Sequence, residues 1–324
     1  MTFVHDDPEF DALLRVTAEQ RRIAVSLVEK DYWVTHCLWA LHAQGFELWF
    51  KGGTSLSKGF GLIERFSEDL DLMLEPGRVS TLSAITNWKS DNKGPLEARK
   101  AHYRTLAAAL QVPGVTTVEL DPTSAELKWR GARIEVHYPG LHRDELASVL
   151  SPFVLLEVGR ARVAPWVFCA LSSFVHDELA RQGLLSEYED NRPQAVRCVH
   201  PLVTLLEKLD ALQRRALDGR TEPSRFVRHF EDAARIVDAA ERGALPTLEP
   251  YAALRVLADE MHASKDLARV PAADDLAFSP GADARWDEIR AALETIAPMF
   301  WGTRWTLEAC CDRIRRWLRA ELGP

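Results

Sequence analysis

KGGTSLSKGFGLIERFSEDLDL, residues 51–72, sets a double glycine ahead of two aspartates one residue apart, and its reading decides the fold. The preceding residues 46–50 (FELWF) have the aromatic composition of a strand. Gly52 and Gly53 let the backbone approach a ligand closely. A short helix is expected over residues 55–63, and free N–H groups at its start would face an anion. After a turn over residues 64–68, Asp69 to Leu74 (DLDLML) alternates with a period of two. Leu70 and Leu72 therefore share one face and both aspartates the other. Two carboxylates on one strand face repel each other unless a cation lies between them, so the stretch reads as a site for a triphosphate and a metal ion. The plainer alternative, a glycine turn before an acidic strand end, leaves the desolvation of those carboxylates without compensation.

Upstream, Thr17-Ala18-Glu19-Gln20 has the form of a capping box. Ile23, Leu27, Val34, Leu38 and Leu41 then recur at helical spacing, which predicts one amphipathic helix up to Gly45. Lys30 and Asp31 read there as exposed charges on a helix packed behind the sheet. Downstream, Glu75-Pro76-Gly77 ends the acidic strand, and residues 80–95 have the composition of a loop or short-helix insertion in which substrate selectivity can reside. A helix is expected over residues 96–110 and a strand over 115–119. A hairpin follows, with arms at 126–129 and 132–138 about a turn at Arg130-Gly131. In its second arm Ile134 and Val136 share one face, leaving Arg133, Glu135 and His137 on the other. Glu135, the only acidic residue inside that strand, is a candidate third carboxylate; its structural alternative is a pair with Arg133.

Residues 153–158 read as the last strand of a first domain, 1–164. A helical second domain, 165–324, is expected to hold helices at 167–182, 202–217, 224–242, 250–262, 284–296 and 306–322. With 324 residues, 47% hydrophobic and 27% charged, the chain has the balance of a globular protein with a substantial core. No run approaches the 18 or so apolar residues of a membrane helix, and the start, MTFVHDDPEFD, is acidic where a signal peptide is basic and then apolar. A cytoplasmic location without membrane contact is the expectation. Five scattered cysteines, Cys37, Cys169, Cys198, Cys310 and Cys311, lack zinc-finger spacing and read as reduced packing residues. A net charge of −8 argues against a surface coated for non-specific nucleic-acid binding, although Arg313, Arg315, Arg316 and Arg319 form a local basic cluster.

GGT followed by DLD resembles the glycine/hydroxyl and D-x-D motifs of the DNA polymerase β-like nucleotidyltransferases. The full 22-residue string resembles the AbiEii/AbiGii toxin branch of that superfamily, found in bacterial toxin–antitoxin and phage-defence systems. Three further segments are similar to the same branch: EKDYWV at residues 29–34, the T-L-x-E-K pattern from Thr204 to Lys208, and R-H-x-x-D at Arg228, His229 and Asp232. In the last, Glu231 stands where an aromatic is common.

The resemblance implies an α+β fold, a polymerase β-like nucleotidyltransferase mixed sheet with an α-helical C-terminal domain closing the cleft. It implies transfer of a nucleoside monophosphate from an NTP to an RNA acceptor, with the 3′ end of tRNA the foremost candidate. The protein would then be a growth-arresting toxin countered by a separately encoded antitoxin. Asp69, Asp71 and Glu135 would hold Mg²⁺ or Mn²⁺, with Lys208 and Asp232 also catalytic. Lys51, Gly52, Gly53, Thr54, Ser55, Lys58 and Arg65 would bind the nucleotide. Two alternatives stand beside this reading: transfer to a protein hydroxyl, and a nucleotide-binding regulatory module without turnover. The complete acidic set favours an enzyme.

Overall fold

The computed structural model describes the whole chain except residues 68, 80, 81, 83, 143, 144, 146–150 and 324. Parts of the expected turn at 64–68 and of the expected insertion at 80–95 therefore lie outside the described residues. In chain order the elements are α1 (Phe10–Arg21), α2 (Val25–Ala43), β1 (Glu47–Lys51), α3 (Gly52–Lys58), β2 (Asp69–Glu75), α4 (Lys93–Ala109), β3 (Thr117–Leu120), β4 (Gly131–His137), β5 (Val154–Gly159), β6 (Trp166–Cys169), α5 (Phe174–Gln182), β7 (Val196–Val199), α6 (Pro201–Arg215), α7 (Arg228–Glu241), α8 (Leu254–Ala263), α9 (Ala284–Thr295) and α10 (Leu307–Leu322). The architecture is α+β. Two compact units emerge, each assembled from separate pieces of chain. The first comprises Met1–Gly59, Ser67–Ala161 and Phe168–Cys198, and the second Phe60–Phe66, Arg162–Val167 and Val199–Pro324.

The strands form a mixed seven-stranded sheet in the order β3-β4-β5-β2-β1-β7-β6. β2 runs antiparallel to β1 and parallel to β5, while β4 is antiparallel to both β3 and β5. Leu48, Phe50, Leu70, Leu72, Ile134, Val136, Leu156 and Val158 are all buried, and their shared parity puts them on one face of the sheet. Removing that apolar surface from water drives the layer together. The residues between them, with Lys51, Asp69, Asp71, Arg133, Glu135 and Glu157 among them, belong to the opposite, polar face.

α2, which packs against β1 and β5, is buried on every side from Ser26 to Leu38. Its three consecutive charges are correspondingly tied to distant backbone and side chains. Glu29 accepts from the amides of Leu141 and His142 at 2.7 and 2.9 Å, Lys30 donates to the Ser151 carbonyl at 2.8 Å, and Asp31 meets Lys58 at 2.6 Å. Lys30 and Asp31 are thus interior, contrary to the reading of exposed charges. Helical spacing alone does not show that a helix is covered all round.

Several expected elements differ. The single helix up to Gly45 is two, broken where Arg22 adopts a left-handed conformation (φ 55°). Thr17 therefore lies inside α1, its hydroxyl bonded back to the Leu13 carbonyl, and caps nothing. The expected first hairpin arm at 126–129 is a turn with Lys128 and Trp129 at positive φ, and β4 pairs instead with β3 and β5. The helix expected at 167–182 is β6 followed by α5, and β7 adds a second strand after residue 165. These four-residue strands carry too few alternations to register as a pattern.

In the second unit α7 packs against α6 and α10. α7 buries Phe230, Ala233, Ala234, Ile236 and Val237 at helical spacing, and α6 buries Leu202, Leu205, Leu206, Leu209 and Leu212. Among the described residues no helix is long and apolar enough to cross a membrane.

Candidate active site

β2 carries Asp69 and Asp71 on the polar face while Leu70 and Leu72 anchor the other face in the core. Lys51, the last residue of β1, lies opposite Asp71 in the antiparallel register. The chain then turns at Gly52 with φ +74°, a conformation that side chains rarely adopt. A Cβ there would sit 1.8 Å from Asp71 Oδ2, so the absence of a side chain is what lets the turn lie against that carboxylate. Thr54, buried in α3, places its hydroxyl 2.9 Å from the Ser67 carbonyl and 2.6 Å from that of Asp69. Glycine turn and acidic strand are thereby locked together. A pocket of about 300 Å³ opens beside them, lined by Lys51, Asp71, Arg133, Glu157, Gly159 and Arg160 among others.

Strand register decides which acidic residue is the neighbour of the pair. Across the parallel β2–β5 ladder Asp71 faces Glu157, whereas Asp69 faces Leu155. Glu135 lies opposite Leu155 on the next strand, so it is two strands from Asp69, about 10 Å in lateral spacing. Its carboxylate sits 3.1 Å from His137 Nε2. The acidic neighbour of Asp71 is therefore Glu157, held by Arg133 at 3.0 Å. Its signal was present in FVLLEVG, where a lone glutamate interrupts an apolar strand, but only pairing order shows that β5 lies next to β2.

The expected nucleotide ligands divide. Lys51 lines the pocket and Gly52 touches Asp71, whereas Gly53, Thr54 and Ser55 are buried in α3. Lys58, expected to reach a phosphate, instead lies 2.6 Å from Asp31 and donates to the Ser172 carbonyl at 3.0 Å. Burial raises the Asp31 carboxyl above its ordinary range, and the Lys58 ammonium offsets this only in part.

Arg65, also expected at the nucleotide, belongs to the second unit and grips Asp232 through two parallel bonds of 2.7 Å. Lys208 adds a third at 2.8 Å, with His229 Nδ1 3.4 Å from its ammonium. All three charged groups are buried. Burial opposes ionisation of Asp232, yet Arg65 and Lys208 outweigh it and hold the carboxyl far below its usual range. Burial depresses Lys208, an effect that Asp232 counteracts. Loss of hydration and the adjacent ammonium keep His229 neutral.

A family model described as nucleotidyl transferase AbiEii toxin, type IV toxin–antitoxin system, matches residues 38–312, more than four fifths of the chain. The chain belongs to this family. None of the curated proteins matches it. AbiEii membership makes it a nucleotidyltransferase and the toxin of a type IV toxin–antitoxin system, with an NTP as substrate and an antitoxin as counterpart. The matched span takes in the glycine turn, the D-x-D strand and the Lys208–Asp232 pair alike.

Proposed function

We propose that this AbiEii-family enzyme transfers a nucleoside monophosphate from an NTP to an RNA hydroxyl, with Asp69 and Asp71 as the metal-binding pair. The observation that carries the reading is the contact between Gly52 and Asp71 at the mouth of a pocket holding both carboxylates and cations. The donor set suits Mg²⁺ or Mn²⁺. Mg²⁺ is typically held by one or two carboxylates plus substrate phosphates rather than by an all-protein cage. When bound, the ion would supply Lewis-acid polarisation of the phosphoryl oxygens. Glu157, opposite Asp71 in the register and ion-paired with Arg133, takes the place of Glu135 as the flanking acidic residue in this proposal.

In the reaction the acceptor oxygen bonds to the α-phosphorus, the bond from that phosphorus to the bridging oxygen breaks, and pyrophosphate leaves as the hydroxyl proton is lost. Lys51 and Arg160, beside the pocket, are assigned to the phosphates, where fixed cations stabilise charge developing on the leaving group.

An RNA acceptor is favoured over a protein hydroxyl by a groove of about 590 Å³ along α10, lined by Trp305, Arg313, Arg315, Arg316 and Arg319 with Asp312 the one acidic lining residue. Arg313 is engaged by Asp238 and Glu241, and its guanidinium lies 4.9 Å from the centre of the Trp305 ring. Forked guanidinium groups beside an indole suit phosphate and base together.

The test is incubation of the pure protein with total RNA, Mg²⁺ and each α-labelled NTP in turn, with the 3′ end of tRNA as first defined acceptor. Labelled RNA, lost in Asp71→Asn, is the expected result; labelled protein instead would shift the acceptor class. No label on any acceptor, or full transfer by a folded Asp71→Asn variant, would overturn the proposal.

A further inference from the structure

A second cavity, of about 260 Å³, adjoins the Asp71 pocket, and the two share Val158, Gly159 and Arg160 as wall residues. Its floor includes Met73, two residues beyond Asp71 on the same face of β2 and so about 7 Å along the strand. Trp88, His102 and Tyr103 give it an aromatic side, and Leu74, Glu75, Ile85 and Thr86 complete the lining. The Tyr103 and His102 rings meet edge-on with centroids 5.3 Å apart, and Trp88 approaches Tyr103 at 6.4 Å.

This wall is built rather than incidental. Arg99, fully buried on α4, donates to the carbonyls of Asn87 and Ser90 at 3.1 and 2.9 Å and to that of Lys128 at 3.0 Å. The segment bearing Trp88 is thereby clamped onto the helix that bears His102 and Tyr103. Asn87 tightens the same segment, its side-chain oxygen accepting from the amides of Lys89 and Ser90. Within the wall, the Tyr103 hydroxyl is buried, the residue being only 1% exposed, and it has no hydrogen-bond partner among the described residues. Leaving such a group unsatisfied is unfavourable, and a site that expects a ligand atom explains it.

We propose that this cavity is a nucleobase subsite, in which Trp88 and His102 pack against a planar heterocycle and the Tyr103 hydroxyl donates to an acceptor on the base edge. The inference rests on the nucleotidyl-transfer reading, since it places the base one ribose away from phosphates at Asp71. The volume suits one ring system; pockets for whole drug-sized ligands run from about 300 to 1,000 Å³. Burial raises the phenol above its ordinary value, so it remains a proton donor at working pH. Ile85, Thr86 and Trp88, which line the cavity, fall in the stretch whose composition pointed to substrate selectivity. The base belongs either to the incoming NTP or to an unpaired nucleotide of the acceptor RNA, and the experiment separates the two.

Affinities of the four NTPs are measured by calorimetry with Mg²⁺ for the wild-type chain, Tyr103→Phe and Trp88→Leu, alongside KM for NTP and for acceptor RNA. Tyr103→Phe should melt at the wild-type temperature or slightly above it, since it deletes only an unpaired hydroxyl. It should compress the wild-type preference among NTPs by about tenfold, as expected when a polar reader of the base is removed. Trp88→Leu should weaken every NTP by about tenfold, the scale of one lost base–aromatic stack. If NTP affinities hold and the RNA KM rises instead, the subsite serves the acceptor base. Wild-type affinities for all four NTPs and an unchanged RNA KM in both variants would overturn the proposal. Transfer that depends on Asp71 but ignores both variants sinks this inference alone; altered NTP affinity without transfer by the wild type sinks the transfer reading alone.

Discussion

Each unit of this AbiEii-family chain sets carboxylates beside cations, but in opposite regimes. Asp232 is interior, and Arg65 and Lys208 give it three charge-assisted bonds of 2.7–2.8 Å. Asp71 is half-buried at the wall of a 300 Å³ pocket, with a glycine backbone where a side chain would otherwise fill the space. In the first case the protein itself supplies the counter-charge, and the group strengthens the unit that holds it. In the second the glycine turn lies against a half-buried carboxylate, and that carboxylate shares a pocket wall with Lys51, Arg133, Glu157 and Arg160. An acidic residue near lysine or arginine thus says little until its burial and its partners are known.

The comparison breaks most visibly at Gly52. Gly52→Ala is expected to displace the Asp71 carboxylate, and a misplacement of about 1 Å at a catalytic group lowers turnover about 100-fold. Steady-state transfer assays check this, and turnover near wild type would show that the Gly52–Asp71 contact is dispensable. In the second unit the effect is on stability. Asp232→Ala leaves Arg65 and Lys208 buried without their counter-ion and should lower unfolding free energy by about 3–5 kcal/mol. Denaturant melts measure that loss, and a change below about 1 kcal/mol would count against a self-satisfied cluster.

Acid distinguishes a further pair of buried groups. In the first unit His36 and His176 both bond to Asn191, at 2.7 Å each. Burial, reinforced for His36 by His5, lowers His36 to about 3; burial lowers His176 to about 4, against the partial opposition of Asn191. Their folded values lie below the unfolded value of 6.5, so the unfolded chain binds protons first as pH falls. Their contribution is therefore complete above pH 6.5 and is lost between 6.5 and the folded values, about 2 kcal/mol for each histidine by pH 5. Asp232 has the same sign in a lower window: its folded value is depressed, so its contribution is complete above the ordinary carboxylate range and is lost only as pH falls below it. Melting at pH 7.5 and 5 should show the loss, and His176→Gln should reduce it. The smallest expected effect separates the two glutamates. Glu135→Gln should leave transfer within about twofold, while Glu157→Gln, beside Asp71, should lower it about tenfold or more. Equal losses in both would return Glu135 to the site.

Much of the centre of the first unit was legible in residues 46–74 because its signals are local. Alternation along a strand is set by the geometry of successive Cα–Cβ bonds, and it located Asp69 and Asp71 on one face without reference to any neighbour. The double glycine likewise marked the turn from backbone sterics alone. The leucine stripe of α6 and the stripe of α7 also followed from helical period.

What no local pattern carries is the identity of partners far along the chain. Glu157 is the neighbour of Asp71 because β5 enters the sheet beside β2 across some eighty residues, and strand order is a property of the assembled sheet. Lys58 and Arg65 looked interchangeable as phosphate ligands in the sequence, yet each is claimed by a carboxylate, Asp31 or Asp232, that packing delivers. A cation's availability depends on which opposite charge is desolvated next to it, and that juxtaposition arises only when distant segments pack.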